Sequence, residues 1–211
     1  WMGYCLLFES MLNTVLIARD RWLAPDGKLL PNKATLYMAA IEDAEYKKDK
    51  IGYWDNVYGF NFSAIKRLAM LEPLVDVVDP DQVVTGECPI LEIDVATIKA
   101  ENLTFEADFL LTLDRKEKVH ALIAWFDCEF SAMKNRVTLP TGPFRRETHW
   151  KQSVFYLNKV LKGDPGAVIS GALRCAPNVR NPRDLDISMD IRFKSERTGE
   201  EEEFQQDWRL R

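Results

Sequence analysis

Two residues of this 211-residue chain could carry chemistry by type and setting, Glu9 and His149. Glu9 stands between an apolar, aromatic stretch (Met2, Tyr4, Leu6, Leu7, Phe8) and a run in which Leu12, Val15, Leu16 and Arg19 recur. Those three- and four-residue intervals predict one face of a helix starting near Ser10, whose hydroxyl suits an N-cap. A carboxylate just ahead of such a helix is favoured by the dipole, so on spacing alone Glu9 can also be a plain capping acid. His149 lies at a loop-to-strand junction, after the cationic Phe144-Arg145-Arg146-Glu147 and before a strand-like WKQSVFYL. An imidazole there can accept a proton near neutral pH, or be no more than a partly buried polar side chain. His120, on a strand with apolar neighbours, reads as structural.

The elements that must position these residues follow from periodicity and turn chemistry. The first helix is expected to end near Trp22, and Ala24-Pro25-Asp26-Gly27 makes a turn. Strands are expected at 29–31 and 34–41. Residues 42–71 form a helical excursion dense in Tyr46, Tyr53, Trp54, Tyr58, Phe60 and Phe62, more aromatic surface than a solvated insertion should carry. From there the texture is all β, with strands at 90–95, 109–113, 119–130, 150–157, 167–173 and 184–193. Within 119–130, His120, Leu122, Ala124, Phe126, Cys128 and Phe130 should share one face. Pro-, Gly- and Asn-bearing loops between these strands suggest a barrel or sandwich. The acidic run at 195–203 reads as a solvated hairpin tip.

Composition narrows the class. Hydrophobic residues make up 46% and charged residues 29%, ordinary for a globular protein. No apolar run approaches the roughly 20 residues of a membrane span. Four scattered cysteines with only two histidines argue against zinc and for reduced, packed thiols in an intracellular protein. A net charge of -5 disfavours direct nucleic-acid binding and suits encounter with basic partners.

The opening WMGYCLLFESM resembles the double-glutamate loop of the protein arginine methyltransferases, of the asymmetric-dimethylating type I kind. Glu9 matches the second glutamate of that loop, and the first would lie immediately before Trp1. Thr148-His149-Trp150 reads like the family's T-H-W loop, and KIGYWDNVYGFNFS is similar to its dimerisation arm. LNTVLIARDRWLAPDGKLLP, LVDVVDP, LTF and NPRDLDI also occur in the family's order, over essentially the whole chain. The resemblance implies a mainly β fold with some α. A β-barrel or sandwich would occupy 33–211, with the dimerisation arm inserted at 42–72. Residues 1–32 would then be the last helix and strand of a Rossmann-like domain that binds S-adenosylmethionine.

The implied reaction is methyl transfer from S-adenosylmethionine to arginine in Arg/Gly-rich proteins, including RNA-binding proteins and histone tails, by a nuclear and cytoplasmic homodimer. Glu9 would bind the guanidinium and His149 would serve an acid/base or orienting network. Tyr4, Met11 and Trp150 would line the arginine pocket, although each could instead be simple packing. The residue types suit the task, because an arginine protonated to above about pH 12 is a poor nucleophile. Paired carboxylates can localise its charge away from the attacking nitrogen and align that nitrogen with the methyl donor. The alternative is a non-catalytic barrel that presents substrate or dimerises. Neither G-x-G-x-x-G nor G-x-x-x-x-G-K-[ST] occurs, which places the main cofactor site outside this chain. The chain alone is therefore expected to be inactive and not to bind S-adenosylmethionine at physiological concentrations. Calorimetric titration with S-adenosylhomocysteine checks this, and clear binding heat would refute it.

Overall fold

The helical spacing is realised as α1 (Met11–Trp22) in a computed structural model that describes residues 1–195 and 197–211. Leu12 and Leu16 are buried on one face. Arg19 extends that face, its Nη1 donating to the carbonyls of Val95 at 2.9 Å and Ile98 at 2.7 Å. The turn expected at Ala24-Pro25-Asp26-Gly27 closes with the Gly27 amide donating to the Ala24 carbonyl at 2.9 Å. Residues 29–31, expected as a strand, are irregular. Pro31 has no N–H to give a ladder.

Among the described residues ten strands follow, in two antiparallel sheets. They are β1 (Lys33–Ile41), β2 (Leu74–Asp76), β3 (Cys88–Asp94), β4 (Phe105–Thr112) and β5 (Glu117–Glu129). After them come β6 (Thr138–Pro140), β7 (Gln152–Gly163), β8 (Val168–Pro177), β9 (Leu185–Ser195) and β10 (Glu200–Leu210). One sheet runs β2-β7-β5-β1-β3 with β6 beside β5, and the other runs β10-β9-β8-β4. Their inner faces form one apolar core, including Leu36, Phe126 and Phe155 from the first sheet and Ile169, Ile191 and Phe193 from the second. Phe155 meets Trp208 edge-on at 5.5 Å. Leu6, Leu12 and Leu16 enter the same core, so the N-terminal segment packs on the barrel.

β5 departs from simple alternation. Leu122, Ala124, Phe126 and Cys128 face the main core, as expected, while Ala121, Ile123 and Trp125 are buried in a second cluster on the opposite face. The pairing of β5 with β7 slips between Val119 and Ala121. A bulge of this kind re-aims one side chain, and here it takes His120 out of line with Leu122. The acidic run also differs from expectation. Its turn is confined to the residues around Gly199, while Glu200–Leu210 is a strand. Glu201 and Glu203 oppose Lys194 and Arg192 of β9, at 3.8 and 2.8 Å. Cross-strand cations make the acids tolerable in a sheet. Glu196, part of that run, lies outside the described residues.

The excursion between β1 and β2 is helical, as its composition predicts. It comprises α2 (Ala44–Lys50), a 3-10 turn at Gly52–Asp55 and α3 (Ser63–Ala69). Ile51 and Met70 pack into the second cluster, against the outer face of the large sheet. At the far end Tyr58 and Gly59 both take left-handed backbone, the requirement of a tight two-residue turn, and Val57 and Phe60 exchange both backbone hydrogen bonds. That turn leaves Tyr58 94% and Phe60 69% exposed, and Leu68 of α3 is 59% exposed.

A polar latch fixes the root of this arm. Tyr46 stacks on Tyr156 at 6.0 Å, and the Tyr156 hydroxyl donates to Asp43 Oδ2 at 2.6 Å. Lys47 Nζ donates to the Leu157 carbonyl at 2.6 Å. The Asp43 amide donates to His120 Nδ1 at 3.1 Å, which requires that nitrogen to be unprotonated. Burial holds the imidazole below its ordinary value of 6.5, outweighing the opposite pull of Glu42. The unfolded chain therefore takes up the proton first. The latch contributes fully above about pH 6.5 and is weakened as pH falls below it. Urea midpoints at about pH 7.5 and about pH 5.5 should show the loss. The loss should be smaller in His120→Gln, whose carbonyl can accept without titrating. Equal losses in both proteins would remove His120 from the account.

Candidate active site

Residues 1–10 form a tight hairpin ahead of α1, and its backbone is unusual. Cys5, Leu6, Glu9 and Ser10 have φ of 50°, 66°, 74° and 55°, all left-handed and none of them glycine. Each such residue costs about 1–3 kcal/mol unless its surroundings over-determine it. The surroundings here do so. The Gly3 amide donates to the Leu6 carbonyl at 3.0 Å and the Phe8 amide to the Tyr4 carbonyl at 3.1 Å. Gly3 is obligatory, because a Cβ there would lie 1.9 Å from the Phe8 carbonyl oxygen. Cys5, Leu6 and Leu7 are buried in the barrel core. Burial pushes the Cys5 thiol up to about 12, with a partial opposing effect from the Ser153 hydroxyl. Cys128 is likewise raised to about 12 by burial, and burial also raises Cys175. These are packed, reduced thiols rather than nucleophiles, and all four cysteines are free.

Ser10 does not cap α1. Its backbone is left-handed where a cap needs an extended one, and its hydroxyl turns outward to donate to the Pro182 carbonyl. Glu9 does not cap either. Its amide donates to the Arg183 carbonyl at 2.7 Å, and its Oε1 accepts from Arg183 Nη2 at 2.5 Å. Oε2 has no partner among the described residues. The 178–184 loop that supplies Arg183 is held by its own side chains. Asn178 Oδ1 accepts from the amides of Arg180 and Asn181, and Asn181 Nδ2 donates to Asp184 Oδ1 at 2.8 Å.

The other sequence-predicted residues divide into two groups. Trp150 Nε1 donates to the Met2 carbonyl at 2.9 Å, which ties the T-H-W segment to the hairpin. The same indole meets Phe126 edge-on at 5.6 Å and carries the His149 ring at 3.9 Å between centroids. His149 is exposed and has no hydrogen bond among the described residues. Tyr4 is half-buried and stacked on Phe8 at 6.1 Å. Met11 is 48% exposed at the first position of α1, so it is not core filler. The hairpin therefore holds Trp150 through Met2, with His149 on the tryptophan, while Tyr4 lies within the hairpin against Phe8. Glu9 is held separately, by the 178–184 loop, and no hydrogen bond links Glu9 to His149 among the described residues.

Sequence reasoning missed Arg183, whose partner lies 174 positions away. The usable signal was the asparagine-rich NVRNPRD, a loop built to hold its own shape.

Comparison with known proteins decides what this geometry belongs to. Residues 32–196 match the family model of the arginine methyltransferase oligomerization subdomain. The chain belongs to the protein arginine methyltransferase family. It is 54% identical over 196 residues to protein arginine N-methyltransferase 1 of Caenorhabditis elegans, covering 93% of this chain and 56% of that protein. The corresponding enzyme of Schizosaccharomyces pombe is 54% identical over 193 residues, covering 92% of this chain and 57% of its own length. In structure the chain resembles the Trypanosoma brucei PRMT1 enzyme-prozyme heterotetrameric complex with AdoHcy. That match has a TM-score of 0.96 and 42% identity, and covers 100% of this chain and 66% of that one. Arabidopsis thaliana protein arginine methyltransferase 10, at 22% identity and a TM-score of 0.87, shares the fold. The chain spans just over half the length of the curated relatives it matches.

In this arginine methyltransferase chain the hairpin is the strained element and Gly3 its tightest point. Gly3→Ala should lower stability by about 2 kcal/mol, since the backbone at Phe8 must move. It should also raise amide exchange across residues 3–9. Unchanged exchange there would show that the hairpin does not depend on the close approach.

Proposed function

We propose that this chain forms the substrate side of an enzyme that transfers methyl groups from S-adenosylmethionine to arginine guanidinium nitrogens in Arg/Gly-rich proteins, ending in asymmetric dimethylarginine. The observation that carries this reading is the Glu9 carboxylate. It is held on left-handed backbone, already accepts from one guanidinium through Oε1, and presents Oε2 without a partner among the described residues. Family membership supports the same reading. S-adenosylmethionine, when bound, supplies a methyl group on a sulfonium leaving group. The residues around Glu9 fit the guanidinium half of such a reaction rather than the nucleoside half. α1 opens on Glu9 and Ser10, not on a glycine-rich turn of the kind that cradles a nucleotide, so no residue here is assigned to the cofactor.

In this reading Glu9 Oε2 accepts from the substrate guanidinium and draws positive charge toward itself, which leaves the opposite nitrogen the better nucleophile. Tyr4 and Trp150 wall the side-chain channel, the indole fixed by its hydrogen bond to Met2. Met11, exposed beside Glu9, limits how a half-methylated arginine can sit. His149 serves the acid/base or orienting network: its exposed imidazole takes the proton that the methylated guanidinium releases, or orients the group that does. Through Tyr58, Phe60 and Leu68 the arm docks on a second copy, burying side chains too apolar to remain in water. Residues 1–32 belong at once to the barrel they pack on and to the end of the cofactor domain.

The test is Glu9→Gln in the full-length enzyme, assayed on an Arg-Gly-Gly repeat peptide with mass-spectrometric reading of the products. Loss of one preorganised charge contact should lower kcat/KM by about a hundredfold or more. A variant that methylates at the wild-type rate would sink the reading.

A further inference from the structure

We propose that Arg183 is the positioning residue of Glu9, holding one carboxylate oxygen so that the other faces the substrate arginine. This inference rests on the guanidinium-binding role of Glu9 given above. Its geometry stands on three contacts from one loop. Arg183 Nη2 donates to Oε1 at 2.5 Å, the Arg183 carbonyl accepts the Glu9 amide at 2.7 Å, and the Pro182 carbonyl accepts the Ser10 hydroxyl. The same loop therefore fixes the backbone and the side chain of Glu9 together. It is a rigid donor, because Asn178 and Asn181 close it internally and Asn178 Nδ2 also donates to Asp186 Oδ2 at 2.8 Å.

A carboxylate has lone pairs enough for two guanidinium partners, one at each oxygen. An arginine suits the fixed position, since its planar fork holds a carboxylate in one orientation where a lysine ammonium would let it rotate. The pair also lies within reach of a peptide, with Arg183 65% and Glu9 43% exposed at the side chain. Screening at that exposure makes the ion pair a weak source of stability, so its consequence falls on orientation rather than on holding the fold.

The experiment compares Arg183→Met, Arg183→Lys, Glu9→Gln and the Glu9→Gln/Arg183→Met double variant in the full-length enzyme. The substrates are an Arg-Gly-Gly repeat peptide and S-adenosylmethionine, and thermal midpoints are measured to confirm folding. Alignment is realised in the transition state, so Arg183→Met should lower kcat about tenfold or more while KM stays within about threefold. Arg183→Lys should recover part of the loss. In the Glu9→Gln background, Arg183→Met should add nothing, because the two residues act as one unit. An unchanged kcat in Arg183→Met, or additive losses in the double variant, would overturn the inference. A lowered KM with undiminished kcat would overturn it too, by making Arg183 a placeholder that substrate must displace. If Glu9→Gln itself retains activity, the reading of Glu9 fails. If Glu9→Gln is inactive and Arg183→Met is normal, only the role of Arg183 fails. Should Arg183→Met not fold, Arg183→Lys carries the same comparison.

Discussion

The structure depends on one strand being apolar on both faces. β5 puts Leu122, Ala124 and Phe126 into the barrel core and Ala121, Ile123 and Trp125 into the cluster beneath the arm. Each face needs cover, because apolar surface left in water costs roughly 25 cal/mol per Å². The second sheet, the hairpin and α1 cover the first face, and the arm covers the second. The hairpin and the arm are thus fastened to the same strand from opposite sides. The bulge beside Val119 lets that strand serve the arm with a polar side chain as well, by turning His120 to the amide of Asp43.

Strain is concentrated at the other end. Four left-handed residues in the first ten would not persist in an isolated peptide, since each is opposed by its own Cβ. They persist because Leu6 and Leu7 are anchored in the core, Trp150 holds Met2, and the 178–184 loop holds Glu9 and Ser10. The hairpin's shape is therefore decided by the barrel, and a carboxylate placed this way needs no rearrangement when a cation arrives.

What could be read in the sequence follows from which forces are local. Leu185, Ile187, Met189, Ile191 and Phe193 alternate without interruption, and β9 lies there with all five buried. The spacing of Leu12, Leu16 and Arg19 located α1 for the same reason. Of the residues named from sequence, Glu9, His149, Tyr4, Met11 and Trp150, the structure ties Trp150 to Met2, stacks His149 on Trp150 and Tyr4 on Phe8, and pairs Glu9 with Arg183. Their arrangement was hidden because it is made by long-range partners. Ser10 looks like a cap by type, and only the Pro182 carbonyl shows why it is not one. β10 was concealed because its acids are compensated by cations on β9 and β7, which a one-dimensional pattern does not display. β6 is too short to show a period.

The acids of β10 have a further effect. β10 is the end strand of its sheet. Near its close the Arg209 amide donates to the Leu71 carbonyl at 2.7 Å, so the part of the edge on which a foreign chain could build lies toward its start. Glu200, Glu201, Glu202 and Glu203 lie at the start of that edge, where an incoming strand would have to lay its own side chains among them. The molecule thus discourages growth by sheet extension while leaving its aromatic arm uncovered.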